Sequence, residues 1–282
     1  LTTRKLEDKP SVQHFMREVK SRYNASVFNE KFLNKSEVFE ALAKAPSLRH
    51  YLPESHLLSS FRTLKDMCTR HRVVFLKPIR GSLGKGIIRI SRHGSSYICH
   101  FATVNGTVTK TYPSLLKMFS GLSGKIRSTR YQIQQGINIA QISGRPVDFR
   151  ALVQKNGLGK WAITSVVARI ASNHHFVSNL ARGGTMSSVR DALIRSNLTA
   201  GKLEAPAGLR KAALEIAKGI DAHIPAHFGE LGVDLAVDTG GKIWLLEVNS
   251  KPSKNMQQAQ PNQKVRPSAR QMVRYAQFIS GF

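Results

Sequence analysis

Two carboxylates and one amide stand close together in the segment GVDLAVDTGGKIWLLEVN, near the carboxyl end of the chain. A turn is predicted at residues 238–241, with a strand on each side. Strand alternation places Glu247 and Asn249 on the same face as Leu245. Pairing across the turn sets Asp234 opposite Leu245 and diagonal to Glu247. The three oxygen-bearing side chains are therefore predicted to converge.

The chemistry of this trio indicates a divalent cation. Oxygen ligands that carry two negative charges suit Mg²⁺, which usually shares its coordination shell with substrate phosphates. Two carboxylates that lie close together also repel each other unless a cation or a proton sits between them. Salt bridges to nearby Arg or Lys side chains are the competing explanation in a chain this basic.

A glycine-rich segment, FLKPIRGSLGKGIIRI, has the pattern of strand, turn and strand. Glycines allow backbone N–H groups to approach a phosphate closely, and Lys77 and Lys85 add positive charge. The spacing does not match a Walker A loop or a dinucleotide-binding fingerprint. A tight hairpin with an incidental lysine explains the segment almost equally well.

Arginines cluster between these two segments, in DFRALV, VVARIA and NLARGG. Asp148 and Arg150 share one face of a strand, and Arg169 belongs to the next strand. Arg182 lies in a glycine turn close to Asn179. Arginine suits bidentate contact with phosphate or carboxylate. For any one of these arginines, a plain surface charge remains the alternative.

The elements that must position these residues follow an α+β pattern. A helix is predicted over residues 29–45 and another over residues 59–71, which leads into the apolar strand VVFLKP. Strands are expected on both sides of Asn105-Gly106, and an amphipathic helix is expected in RKAALEIAKGIDAHI. Helices and strands do not alternate strictly, so a purely parallel sheet is not expected.

Composition sets the wider limits. The 282 residues are 41% hydrophobic, which is enough for a core, and their formal net charge is +26. Such a charge favours anionic partners, although aromatics are only 7% and no nucleic-acid-binding motif is present. Cys68 and Cys99 are expected to be buried thiols in a reducing compartment. No apolar run approaches the ~20 residues of a membrane span.

Taken together, these segments resemble the ATP-grasp superfamily of carboxylate–amine ligases, and within it the endospore coat-associated, YheC/YheD-like branch. The resemblance runs from about residue 24 to about residue 253. It implies that FLNKSEVFEAL supplies a phosphate-binding lysine, that YQIQQGI is the hinge where adenine binds, and that the glycine segment is a mobile loop. The nucleotide-binding residues it implies are Lys35, Lys77, Ser82, Gly84, Lys85, Gly86, Gln134, Gln135, Ile137 and Asp148.

The same resemblance implies the remaining site residues. Magnesium, as one or two ions that Mn²⁺ could replace, is assigned to Asp234, Glu247 and Asn249. Arg150, Arg169, Arg182 and Asn179 are assigned to the transferring phosphate and the acyl oxygens. Asp148 is expected to orient Arg150 rather than to act as a base.

The implied fold is an ATP-grasp fold in which two α/β subdomains clasp a nucleotide between mixed or antiparallel sheets. The expected division is an N-terminal helical segment over residues 1–70, a small subdomain over 71–133 and a large subdomain over 134–282. Family members usually carry a full α/β domain before the grasp, and here only some two dozen residues precede it. Substrate binding is therefore the part of the resemblance that transfers least directly.

The implied function is Mg²⁺-dependent formation of an amide bond through an acylphosphate, with ATP, an anionic or peptide carboxylate and an amine as the substrates. The competing hypotheses are a non-catalytic ATP-grasp scaffold in a spore coat, which binds a polyanion through its basic surface, and a nucleic-acid binder. A cytoplasmic location is expected, with spore-coat association as the variant that the resemblance suggests.

Overall fold

The computed structural model describes residues 9–80, 85–103, 106–172, 184–253 and 265–281. Its α-helices are α1 (Pro10–Tyr23), α2 (Lys35–Ala43), α3 (Phe61–Arg70), α4 (Leu115–Ser128), α5 (Val189–Arg195), α6 (Ala205–His223) and α7 (Pro267–Ser280). A 3-10 helix (Pro46–Tyr51) follows α2. The first six strands are β1 (Ser55–Leu57), β2 (Val73–Pro78), β3 (Ile88–His93), β4 (Ser96–Thr103), β5 (Gly106–Tyr112) and β6 (Tyr131–Gln135). The other six are β7 (Gln141–Ile142), β8 (Arg145–Lys155), β9 (Trp161–Ile170), β10 (Thr185–Ser187), β11 (Glu230–Val237) and β12 (Ile243–Asn249).

The strands form two sheets, each built from one continuous part of the chain. The first sheet has the order β1-β6-β2-β3-β4-β5, and the second has the order β10-β9-β8-β11-β12 with β7 paired to β8. Every strand pair in the described part of the chain is antiparallel. The predicted α+β class is confirmed. Mixed or antiparallel sheets were expected, and the described sheets are antiparallel.

Each sheet has its own hydrophobic core. The smaller core lies between the first sheet and helices α3 and α4, and it includes Leu64, Met118 and Ile133. The larger core lies between the second sheet, α2, α5 and α6, with Phe149 and Phe228 fully buried. The larger core also takes residues between Leu33 and Tyr51, which precede the first sheet in the chain, so α2 and the 3-10 helix pack on the sheet that forms later in the sequence. The exact domain boundaries expected above stay a prediction.

Side-chain caps explain where several helices begin. Asn34 precedes α2, and its side-chain oxygen accepts a hydrogen bond from the backbone N–H of Glu37 at 3.0 Å. Ser60 and Ser114 cap α3 and α4 in the same manner. A side-chain acceptor at this position satisfies a backbone donor that has no partner within the helix. The helix predicted over residues 29–45 was therefore too long, because this cap starts α2 at Lys35.

The two predicted buried thiols are confirmed: Cys68 and Cys99 are free and buried in the smaller core. Burial raises the pKa of each thiol to about 12, which keeps both protonated and unreactive at neutral pH. No helix in the described ranges is long and apolar enough to cross a membrane.

Candidate nucleotide and metal site

A β-bulge shapes the predicted carboxylate site. Asp234 on β11 pairs directly with Glu247 on β12, whereas the neighbouring Leu235 pairs with Leu245. Leu246 is therefore an extra residue of β12 that pairs with no residue of β11. The predicted register, with Asp234 opposite Leu245, was wrong because strict alternation does not hold across a bulge. The bulge turns Leu245 into the core and leaves Glu247 on the opposite face, beside Asp234.

Asn249 belongs to the same face. It pairs with Gly232, two residues before Asp234, and no irregularity separates it from Glu247. The backbone thus brings the three predicted metal ligands to one face of two adjacent strands. Their assignment to a metal stays a prediction.

Asp234 is held by two arginines. Arg150 on β8 donates from Nε to Oδ1 and from a terminal nitrogen to Oδ2, the latter at 2.7 Å, and Arg169 lies 3.2 Å from Oδ1. Burial opposes ionisation of Asp234, but these two cations outweigh it and hold the pKa of the carboxyl below its ordinary value. Asp234 is therefore a carboxylate with strong protein partners, as the salt-bridge alternative anticipated.

Asp148 pairs with Arg169 in a buried bidentate contact. The arginine donates from Nε and from a terminal nitrogen to the two carboxylate oxygens, with the second bond at 2.8 Å. Asp148 and Arg169 stand directly opposite each other on β8 and β9, which explains why Asp148 pairs with this arginine. The expectation that Asp148 orients Arg150 was wrong, because Arg150 bonds instead to Asp234 on β11, the strand on the other side of β8. Side chains paired across strands lie closer than those two residues apart on one strand.

Two lysines approach the carboxylates from outside the second sheet. Lys35, the first residue of α2, lies 3.4 Å from an oxygen of Glu247. Lys77 on β2 donates a hydrogen bond to the side-chain oxygen of Gln134. Burial lowers the pKa of Lys77 to about 8, an effect that Lys35 adds to and that Glu247 and Asp234 oppose. The charges of both carboxylates therefore act on the pKa of Lys77, although this lysine belongs to the other sheet.

The residues present fit magnesium in part. Glu247 and Asn249 are partly exposed, and among the residues that the structure describes Glu247 forms one ion pair, with Lys35 at 3.4 Å. One carboxylate and one amide oxygen suit Mg²⁺, which takes few protein ligands and fills its shell with water and phosphate. Asp234 could serve as a third ligand of the ion only if Arg150 and Arg169 moved away from its oxygens. Within the described ranges no cluster of three His, Cys, Asp or Glu side chains forms a closed metal site.

The predicted adenine hinge lies at the end of β6, where the chain leaves the first sheet. Gln134 is buried, and its amide nitrogen donates to Ser55 at 2.9 Å. Gln135 exchanges hydrogen bonds with the backbone of Glu54, and Ile137 is half-buried in the connection to the second sheet. Their position between the sheets suits a hinge, and contact with adenine stays a prediction.

Part of the predicted site lies outside the described residues, namely Ser82, Gly84, Asn179 and Arg182. The end of the glycine segment is described. Lys85 is exposed, and Gly86 has φ of +73°, where a side chain would be strained and would also meet Pro78 at 3.1 Å. This conformation explains why a glycine stands at position 86.

One structural residue near the site was missed by sequence reasoning. The amide of Asn29 donates to the carbonyls of Glu230 and Ser250 and accepts from the N–H groups of Gly229 and Glu230. It ties the segment before α2 to β11 and to the end of β12, and so positions Lys35 next to Glu247. A single buried asparagine with distant partners leaves no periodic signal in the sequence.

Comparison with known proteins decides the family. The profile of the family described as YheC/D like ATP-grasp matches residues 24–279. The chain belongs to this family. The resemblance inferred from the sequence is thereby confirmed.

Relatives and solved structures agree with the family. The chain is 29% identical over 257 residues to the endospore coat-associated protein YheD of Bacillus subtilis (strain 168), a match that covers 91% of this chain and 56% of that protein. The ADP complex of PurK, an N5-carboxyaminoimidazole ribonucleotide synthetase, has a TM-score of 0.54 at 13% identity, over 87% of this chain and 52% of that one. The L-amino acid ligase of Bacillus licheniformis has a TM-score of 0.52 at 13% identity, over 84% and 46%.

These likenesses confirm the ATP-grasp fold that the sequence led us to expect. The chain spans about half the length of the curated relative YheD, so the activity of the whole relative does not follow from the match. What a member of the YheC/D-like ATP-grasp family does must be argued from the site.

Proposed function

We propose that this protein is an ATP-dependent carboxylate–amine ligase that acts through an acylphosphate. The observation that carries the proposal is the contact of Lys35 with Glu247 at 3.4 Å, beside the buried Lys77, whose pKa burial lowers and the charge of the same carboxylate raises. Two cations and one partly exposed carboxylate match the needs of a triphosphate with its divalent cation. Two ATP-grasp structures with the same fold, one bound to ADP and one an amino acid ligase, support it.

The proposed reaction has two steps. In the first, an oxygen of the substrate carboxylate attacks the γ-phosphorus of ATP, and the bond from that phosphorus to the β-phosphate oxygen breaks. ADP leaves with the electron pair. In the second, an amine attacks the acyl carbon, a C–N bond forms, and phosphate leaves with the former carboxylate oxygen. The amine proton goes to phosphate or solvent.

The lysines supply most of the binding charge in this proposal. Lys35 and Lys77 hold the phosphates, and Lys77 is already partly desolvated, so its charge acts strongly when a phosphate arrives. Arg150 and Arg169 are held by Asp234 and Asp148, and in this proposal their remaining N–H groups would donate to oxygens that gain charge in the transition state. Arg182 and Asn179 keep their assignment as a prediction.

Glu247 and Asn249, with Asp234 as the third predicted ligand, would hold Mg²⁺. When bound, the ion would neutralise charge on the phosphates and polarise the phosphorus. Lys35 and Lys77 would offset a further part of the negative charge on the phosphates.

A second candidate function rests on the uneven charge of the chain. Residues 58–133, which hold the smaller core, contain fourteen Lys and Arg residues and a single carboxylate, Asp66. Their net charge of +13 is half of the formal +26. Such a surface suits an anionic polymer, and YheD is described as endospore coat-associated. A coat-bound scaffold that binds a polyanion without turnover is therefore the alternative.

An oxygen-transfer experiment tests the ligase proposal. ADP release is first screened with amino acids, apolar dipeptides and acidic peptides, each with an amine acceptor. The active carboxylate is then labelled with ¹⁸O, and one labelled oxygen is expected in each phosphate released. Lys77→Met should abolish the signal, whereas Lys65→Met, an exposed lysine on α3, should not. ADP release without label in the phosphate, or tight polyanion binding with no ADP release, would overturn the proposal.

A further inference from the structure

A cavity of about 640 Å³ lies under helix α1, beside the proposed site. One wall is a single face of α1, formed by Val12, Gln13, Met16, Arg17 and Lys20, which recur at helical spacing. The opposite wall is the segment from Phe28 to Asn34. This volume falls within the range of small-molecule sites.

The cavity is built from the same chain segments as the proposed nucleotide site. Asn34 lines it and precedes Lys35, Arg80 lines it three residues after Lys77, and Lys251 lines it two residues after Asn249. The backbone N–H of Lys35 also donates to the carbonyl of Ile79 at 3.3 Å, so a molecule in the cavity would lie near Lys35, one of the residues proposed to bind the phosphates.

The walls combine apolar side chains with an excess of positive charge. Val12, Met16, Phe28 and Phe32 supply the apolar part. Five cations line the cavity against two carboxylates, Glu30 and Glu37. Those carboxylates form ion pairs with Lys20 and Lys31, and the first of these contacts, at 2.5 Å, fastens α1 to the opposite wall. The net charge of the wall favours an anion, and its apolar side chains favour one with an apolar body.

We infer that this cavity is the acyl-substrate site, and that its ligand is a carboxylate with an apolar body of about dipeptide size. The inference rests on the proposed ligase function in one respect, namely that the bound carboxylate is then phosphorylated. Binding of the carboxylate in the cavity does not depend on that function. Helix α1 would then form one wall of the site for the acyl substrate.

A pair of matched substitutions on α1 tests the inference. Met16→Trp places an indole in the cavity, whereas Phe15→Trp adds the same group to the neighbouring, 61% exposed position that does not line it. Arg17→Gln removes a lining charge, and Arg22→Gln removes an exposed arginine of the same helix that does not. Circular dichroism and thermal unfolding check that all four variants fold.

The probe is the dipeptide L-alanyl-L-phenylalanine, with binding to the full chain measured by calorimetry in the absence of ATP. We expect Met16→Trp and Arg17→Gln each to weaken binding about tenfold or more, and the two controls to bind as the unaltered protein does. ATP affinity should be the same in all variants. Equal dipeptide affinity across the four variants, or no binding to the unaltered protein at millimolar concentration, overturns the inference.

The same measurements separate this inference from the ligase proposal. Dipeptide binding that is lost in Met16→Trp, without any ADP release, supports the cavity and contradicts the ligase. ADP release that depends on the dipeptide with the same KM in Met16→Trp and Phe15→Trp supports the ligase and contradicts the cavity.

Discussion

The amine of Lys77 donates a hydrogen bond to the side chain of Gln134, on the neighbouring strand of the first sheet. Burial lowers the pKa of that amine to about 8, so the unbound lysine loses its charge as the pH rises through this value. A triphosphate favours the charged form, so ATP binding should take up a proton near pH 8. We expect ATP affinity to fall by up to about tenfold per pH unit above pH 8 and to level off below it.

Calorimetry in two buffers of different ionisation enthalpy measures this proton uptake. Lys77→Arg serves as the matched variant, because arginine stays charged throughout this range and should flatten the pH profile. An ATP affinity that is constant between pH 7 and pH 9, with no buffer-dependent heat, would contradict the uptake of a proton by Lys77 when ATP binds.

Glu247→Gln keeps the size of the side chain and removes its charge. Because Glu247 is the partly exposed carboxylate of the proposed metal site, Mg²⁺-dependent nucleotide turnover should fall on the order of 100-fold. Thermal unfolding should change little, since Lys35 is its single described ion pair, at 3.4 Å. Glu204→Gln, at an exposed position before α6, is the control and should keep full turnover. Unaltered magnesium dependence in Glu247→Gln would remove this residue from the ion's ligands.

The Asp148–Arg169 pair should be structural as well as functional. Both side chains are more than nine-tenths buried, and Asp148→Asn leaves the arginine with a weaker partner. Arg169 would keep Asp234 as its second carboxylate partner, so we expect a cost at the lower end of the range for a broken buried pair, about 3 kcal/mol. Chemical denaturation should show this loss. Asp191→Asn, which breaks the exposed pair with Arg195, should barely move the midpoint; equal effects would mean that the Asp148 contact contributes no special stability.

Gly136, at the hinge between the sheets, should not tolerate a side chain. A Cβ there would lie 2.7 Å from the carbonyl oxygen of Val73, which already accepts the N–H of Gly136 at 2.8 Å. Gly136→Ala should therefore destabilise the fold by about 1–3 kcal/mol. In Gly124→Ala, on α4, the new methyl meets nothing within 4 Å, and stability should rise by up to about 1 kcal/mol. Similar midpoints for the two variants in urea would contradict the close contact at the hinge.

The candidate site was predictable in its residue types but not in its pairings. Lys35, Lys77, Glu247 and Asn249 were identified from motifs and their resemblance; Lys35 lies 3.4 Å from Glu247, Asn249 shares the face of Glu247, and the charge of Glu247 acts on Lys77. The partner of Asp148 was not predictable, because the choice between Arg150 and Arg169 depends on which strand lies on which side of β8. The cavity under α1 was missed for a related reason, since its two walls are brought together only by the folded chain.

Local pattern was enough to predict the α+β class, most of the strands around the site and the two buried thiols, whereas the ATP-grasp family was inferred from the resemblance of several motifs taken together. These features depend on neighbours a few residues away, whose alternation or spacing is written directly in the chain. Only the tertiary structure decided the bulge at Leu246 and the hydrogen bonds by which Asn29 joins the segment before α2 to β11. It also decided the ion pair of Asp234 with Arg150, which lies 84 positions away in the chain. Such contacts depend on how sheets and helices pack, and packing energy between distant segments leaves no mark in the spacing of either one.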